Sequence, residues 1–308
     1  MNQNKNSLTE FEKSLIRQDM ADHTIQGYLY DLHTFKVWVK DFYQTEIDLS
    51  QVTSSDIRAY RDYLIKIKRY KVASTNRSIQ AIKRFYAWLS LSTNSKEEHA
   101  AKNIRFMRRN KQTKPTVLTN KEVNDLLRVA GKSPHGLAKR NYALVQLFLQ
   151  SGIRVGEVVQ LQIRDLLIQE RSGHLKVVDG KGHKSRVIPL NAAVRRALNS
   201  YLNTRDNLKP EDHLIFSKRG SPQTIRGLQK IIQALVQRAN ITRIAASAHT
   251  LRHTFAMNYL KANPSALVAL STLLGHDSLD TTAIYTQSSM EDLSDSIERS
   301  DLNFMEEE

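Results

Sequence analysis

One stretch of this chain concentrates side chains that can do chemistry on a phosphate. It reads His249-Thr250-Leu251-Arg252-His253-Thr254-Phe255, continues as an apolar helical run to Leu273-Leu274-Gly275-His276, and reaches a lone tyrosine, Tyr285, nine residues later. A guanidinium can grip two phosphate oxygens, imidazoles can move or donate protons, and a phenol can act as a nucleophile. Upstream, Arg154 stands in Ser151-Gly152-Ile153-Arg154-Val155-Gly156-Glu157, and Lys181 sits in Gly180-Lys181-Gly182-His183-Lys184. His249 and His253 also have the i,i+4 spacing of the zinc motif H-E-x-x-H. Here Thr250 replaces the glutamate and the chain has no cysteine, so no metal site is expected.

These residues need elements to hold them. A strongly apolar helix over about Arg140 to Gln150 should end at Gly152, which puts Arg154 at the start of the next helix, where backbone N–H groups also favour an anion. Glu157, three residues on, suits support of the site better than reaction. The segments Leu175–Asp179 and Arg186–Leu190 then switch to a period of two on either side of the glycine-rich turn, a hairpin signal that carries Lys181 at its tip. Before them, Thr119 and Glu122 form a capping box for a helix with Val123, Leu126 and Leu127 inward and a stop at Gly131. Helices resume after the hairpin, broken around Lys218–Pro222.

The first hundred residues read as a small helical bundle. Ile25, Tyr28, Leu29, Leu32, Phe35 and Val39 make one helical stripe, Thr53 and Asp56 cap a second helix with Ile57, Tyr60 and Leu64 inward, and a third, about Ala73 to Ser90, buries Ile79, Ile82, Phe85, Tyr86 and Leu89. The opposite side of that third helix carries Arg77, Gln80 and Arg84 with Asn76 and Lys83 beside them. Such a set suits base edges and phosphates, and it equally suits a solvated face. From Lys102 to Lys114 the chain has six basic residues, Arg105, Arg108 and Arg109 among them, and no acidic one. This is the expected boundary, either a strap along a phosphate backbone or a solvated tether.

Charge narrows the class. With 46 Lys+Arg against 31 Asp+Glu the chain carries +15, and because residues 291–308 hold eight acidic residues and one basic, the remainder carries +22. Nucleic acid is the natural partner of such a surface, although a basic surface alone would also fit an anionic membrane. No apolar run is long enough to span a bilayer, the N-terminus is too polar for a secretory signal, and the absence of cysteine excludes a disulfide framework and fits a cytoplasmic protein. In the acidic tail, Leu293 and Ile297 lie one helical turn apart and Leu302, Phe304 and Met305 add apolar surface, a face that must pack on something.

Arg154, Lys181, His249, Arg252, His276 and Tyr285, in this order and spacing, resemble the active site of the tyrosine recombinase (phage-integrase) family. The resemblance spans nearly the whole chain and implies a mainly α protein: an N-terminal helical core-DNA-binding domain over residues 1–101, a basic interdomain linker over 102–116, and a mostly helical catalytic domain with a small antiparallel β-sheet over 117–308, forming a C-shaped DNA clamp. It implies a site-specific DNA recombinase in which Tyr285 forms a 3′-phosphotyrosyl bond, Arg154 and Arg252 hold the non-bridging oxygens, Lys181 protonates the departing 5′-oxygen, His249 handles the tyrosine proton and His276 donates to the phosphate, with Glu157 in support. Asn76, Arg77, Gln80, Lys83, Arg84, Arg105, Arg108, Arg109 and Lys184 become DNA contacts. The reaction would use neither metal nor ATP. The implied partners are double-stranded DNA with an inverted-repeat core site, a tetrameric synapse whose tail helix packs on a neighbouring protomer, and a second recombinase or accessory protein, in the bacterial cytoplasm on the nucleoid. With no room for a separate arm-binding domain, the chain is closest in kind to simple, Xer-like recombinases that act in dimer or cointegrate resolution or in integration and excision. The competing readings are a type IB topoisomerase-like nicking-closing enzyme and a non-catalytic DNA-binding regulator.

Overall fold

A computed structural model of the chain describes residues 3–92, 99–108, 115–178, 185–276 and 278–286. The chain divides into two compact units, Met1–Gln112 and Thr113–Glu308.

The first unit is built from α1 (Gln3–Arg17), α2 (Asp22–Tyr43), α3 (Ser54–Lys66) and α4 (Val72–Ser92). The stripe on α2 is buried at Ile25, Leu32, Phe35 and Val39, and Trp38 joins it. α3 begins at the expected capping box: the Thr53 backbone N–H donates to Asp56 Oδ2 at 2.8 Å, and the Asp56 N–H returns to Thr53 Oγ1. Tyr43 also donates to Asp56 at 2.8 Å, which ties the end of α2 to the start of α3. Aromatic rings fill the centre, with Phe11 edge-on to Phe85 and Phe35 against Tyr60. Ala101 and Ile104 belong to this core, so the beginning of the basic segment is packed down rather than loose.

The second unit opens with α5 (Asn120–Gly131), capped by Thr119 and Glu122 as expected, and centres on α6 (Ala138–Ser151). Residues Ala143 to Leu149 of α6 are all buried, because a helix that is apolar on every side must be surrounded. It packs against α5, α8 (Ala192–Leu202) and α10 (Ala248–Ala262). α7 (Val155–Gln160) follows α6 directly, and α9 (Ile225–Arg238) packs on α5 and α7. Three antiparallel strands, β1 (Leu166–Ile168), β2 (Gly173–Val178) and β3 (Ser185–Pro189), lie in the order β1-β2-β3. The β2–β3 hairpin has the expected pairing, with Leu175 opposite Ile188 and Val177 opposite Arg186. β1 was not legible, being three residues long and too short for a period to show. α11 (Leu267–Leu274) and α12 (Leu279–Ala283) complete the described chain. The fold is therefore mainly α with a small antiparallel sheet. Among the described residues no helix is long and apolar enough to cross a membrane.

Candidate active site

The corner between α6 and α7 sets the first arginine. Gly152 ends α6 in the left-handed region at φ 61°, and Arg154 is the N-cap of α7. The Glu157 carboxylate reaches back to that corner, accepting from the Arg154 backbone N–H at 2.8 Å and from Arg154 Nη1 at 2.9 Å. The same carboxylate receives a two-pronged grip from Arg186 on β3, Nη1 to Oε1 and Nη2 to Oε2, both 2.8 Å. Burial pushes the Glu157 carboxyl up, but the Arg186 fork, the Arg154 N–H and the Arg186 charge outweigh it and hold the group below its usual range.

The C-terminal end of α11 gathers the cations. Leu273 O accepts from Arg186 Nε at 2.8 Å, Leu274 O from Arg252 Nη2 at 2.8 Å, and Gly275 O from Arg154 Nη2 at 2.6 Å. The last carbonyls of a helix have no partner within it and carry the negative end of its dipole, so guanidiniums settle there. Arg252, on α10 and only 2% exposed, also donates to Gly152 O at 2.5 Å. Burial and the neighbouring Arg154 push its pKa down to about 10. Glu157 is the carboxylate bonded to two of these guanidiniums, while carbonyl oxygens and an imidazole complete the rest. The cluster so carries more positive than negative charge and favours an anion.

The imidazoles and the phenol lie beside it. Arg252 Nη2 sits 2.9 Å from His276 Nε2, and His276 Nδ1 sits 2.8 Å from Thr282 Oγ1 on α12. A guanidinium only donates, so Nε2 accepts and Nδ1–H donates to Thr282. Both imidazole nitrogens of His276 are thus engaged, one by Arg252 and one by Thr282. Burial, then Arg252, Arg154 and Arg186, push its pKa down to about 4. Tyr285 is 5% exposed, and its hydroxyl lies 2.7 Å from His253 Nδ1. Burial raises the phenol's pKa against the pull of Arg252. The tyrosine's partner here is therefore His253, not His249. His249 stands at the surface with its ring edge-to-face on His253, centroids 4.4 Å apart. Partial burial, then Arg252 and Arg154, lower its pKa. Thr250 completes a capping box with Ser247 at the start of α10, which accounts for a threonine where a zinc motif has glutamate. Among the described residues no three His, Cys, Asp or Glu side chains gather as metal ligands would.

Arg186 and Thr282 were not singled out by sequence. Arg186 had a signal: it shares the inward face of β3 with Ile188, and a cation at an inward position needs a buried partner. Lys181 and Lys184 lie outside the described residues, as do Arg109 and the tail from residue 287 onward. Of the expected DNA contacts in the first unit, Asn76 is corrected. It is buried, and both ends of its amide bond the Met107 backbone at 2.9 Å, so it pins the basic segment to α4 instead of facing outward. Lys83 likewise donates to Lys102 O and Ile104 O at 3.0 and 2.9 Å. Arg77 is forked onto the buried Asp31 at 2.9 Å with its side chain 58% exposed, and Arg84 donates to Gln18 at 2.6 Å. Gln80, Arg105 and Arg108 are exposed.

Residues 116–292 match the phage integrase family, and residues 8–92 match the phage integrase N-terminal SAM-like domain. Tyrosine recombinase XerC of Listeria innocua serovar 6a is 30% identical over 281 residues, covering 90% of each chain. Tyrosine recombinase XerD of Oceanobacillus iheyensis is 29% identical over 279 residues, covering 88% of this chain and 89% of the relative. Among solved structures, the XerH site-specific recombinase bound to its difH substrate in a pre-cleavage complex superposes with a TM-score of 0.70 at 22% identity, covering 94% of this chain and 84% of that one.

Proposed function

Because the chain belongs to the phage integrase family, we propose a role for each residue in the breakage and rejoining of DNA. The protein is a site-specific DNA recombinase, and DNA is its partner. In cleavage Tyr285 Oη attacks the scissile phosphorus in line. The new P–O bond forms as the bond to the 5′-oxygen breaks, the tyrosine proton passes to His249, and Lys181 gives a proton to the departing 5′-oxygen. Arg154 and Arg252 hold the non-bridging oxygens, so charge developing in the transition state meets fixed cations. Religation reverses each step, and the phosphotyrosyl bond conserves the energy of the broken one, so neither ATP nor a metal ion is required.

The observation that carries this reading is the convergence of Arg154, Arg252 and His276 on the end of α11, in the same unit as Tyr285. Tyr285 must leave His253 before it can attack, since its hydroxyl is bonded and its ring buried. The topoisomerase and regulator readings are not favoured, because the relatives that match along nine-tenths of the chain are recombinases. We place the enzyme in the bacterial cytoplasm on nucleoid DNA, at an inverted-repeat site joined in a tetrameric synapse, with residues 102–116 along the phosphate backbone. Its role would be resolution of joined replicons or integration and excision, with a second recombinase or accessory protein where the site demands one. A groove of about 750 Å³ beside Tyr285, lined by Leu118, Met257, Leu260 and Lys261, supports docking of an acidic amphipathic tail from a neighbouring protomer.

The test is covalent capture on nicked duplexes drawn from the DNA around the protein's own gene. Detergent-resistant adducts should map to one inverted-repeat site and disappear in Tyr285→Phe, which keeps the ring but removes the oxygen, while DNA binding survives. Adducts formed by the Phe variant at normal yield would sink the assignment.

A further inference from the structure

Arg186 is a member of the cation cluster to which the reaction assigns no part. It sits on β3 opposite Val177, with its side chain 11% exposed. All three of its nitrogens are engaged: Nη1 and Nη2 grip Glu157, and Nε bonds Leu273 O. Glu157 in turn holds Arg154 by both its side chain and its backbone N–H. Space for this contact is built in, since a Cβ on Gly275 would come within 2.8 Å of Arg186 Nη1.

Charge explains why the second arginine is there. Glu157 facing Arg154 alone would orient the guanidinium but also neutralise it, and a neutralised clamp has little to offer a phosphate. With Arg186 forked onto the carboxylate, one positive charge balances Glu157 and the charge of Arg154 remains available. Arg154 is the more exposed of the two, its side chain 39% accessible, and so is the one that can meet a ligand.

We propose that Arg186 is a positioning residue for strand cleavage: its two-pronged grip fixes the Glu157 carboxylate that orients Arg154, and its charge keeps that carboxylate from cancelling Arg154. The proposal rests on Arg154 as a phosphate clamp, and the experiment separates the two. In Arg186→Lys the charge stays but the fork is lost. On a nicked duplex recovered by covalent capture, single-turnover adduct formation should fall ~10- to 100-fold while DNA affinity stays within ~3-fold. On the same duplex with an uncharged methylphosphonate at the scissile position, where no clamp is needed, the deficits of Arg186→Lys and Arg154→Ala should both shrink to within ~3-fold. A loss of folded protein would lower both substrates equally, so equal deficits on the two, or none on the phosphodiester, overturn the proposal. So does rescue by a 5′-bridging sulfur alone, which would place Arg186 on the leaving-group side. If Arg154→Ala itself is not rescued by methylphosphonate, the clamp reading fails first and takes the proposal with it. A readout without DNA stands beside these: in ¹⁵N-arginine-labelled protein, rotation of the Arg154 guanidinium should be restricted in the wild type and free in Arg186→Lys, and unchanged restriction refutes the link.

Discussion

At the scale of single residues, the site keeps its imidazoles neutral. Burial and His249 push His253 to about 4, and burial and Arg252 push His276 to about 4, against an ordinary value of 6.5. Neutrality is what allows His276 Nε2 to accept from Arg252. The unfolded chain protonates first as pH falls, so the stability these two groups protect is complete above pH 6.5 and drains away as pH drops toward 4. Glu157, with its carboxyl held low, loses its contribution only further down, below its ordinary 4.5. Urea denaturation between pH 7 and pH 4 should therefore show ~1 proton less taken up on unfolding for each imidazole removed in His253→Gln and His276→Gln. An unchanged pH slope in both variants would mean that these imidazoles are not held neutral.

At the scale of elements, the turn after α6 and the turn before α9 are built around glycines that differ in kind. Gly152 has φ 61° and a Cβ there would lie 2.4 Å from Phe255 Cδ1 and 2.7 Å from Leu274 Cδ2. Gly220 has φ 75° but open space around it. Gly220→Ala should cost only the backbone penalty, about 1 kcal/mol, whereas Gly152→Ala adds overpacking against α10 and α11 and should cost about 2–4 kcal/mol. Because Gly152 O holds Arg252, the folded fraction of Gly152→Ala should also cleave slowly. Thermal unfolding of the pair decides it, and equal losses would show that the φ angle alone matters.

At the scale of the whole molecule, charge is segregated: −7 in residues 291–308 and +22 elsewhere. Arg105 and Arg108 are exposed, and in the function proposed above they meet phosphates without reading sequence. The Arg105→Ala/Arg108→Ala double variant should weaken binding to unrelated duplexes alike and reduce the slope of log K against log salt by about 1–2. Fluorescence anisotropy over a salt series measures both. A loss confined to one DNA sequence would make these arginines readers of bases instead.

What the sequence determined by itself was local or compositional. Capping boxes at Thr53 and Thr119, the stripe on α2, the stop at Gly152 and the β2–β3 hairpin all follow from residues within a few positions of each other, where helix and strand periods dictate the geometry. The order of Arg154, Arg252, His276 and Tyr285 is likewise a property of the sequence. Packing alone decided what these groups touch. Arg154 meets Gly275 across 121 residues and Arg186 meets Leu273 across 87, and no period in a sequence reports contacts at such range. The same limit explains why Asn76 was expected to face DNA. It sits at the edge between the buried and exposed sides of α4, and only the return of residues 104–107 over that edge turned its amide inward. Whether Tyr285 bonds His253 or His249 was also beyond reach, because two imidazoles one helical turn apart present nearly the same direction, and the placement of α12 against α11 sets which of them the phenol meets.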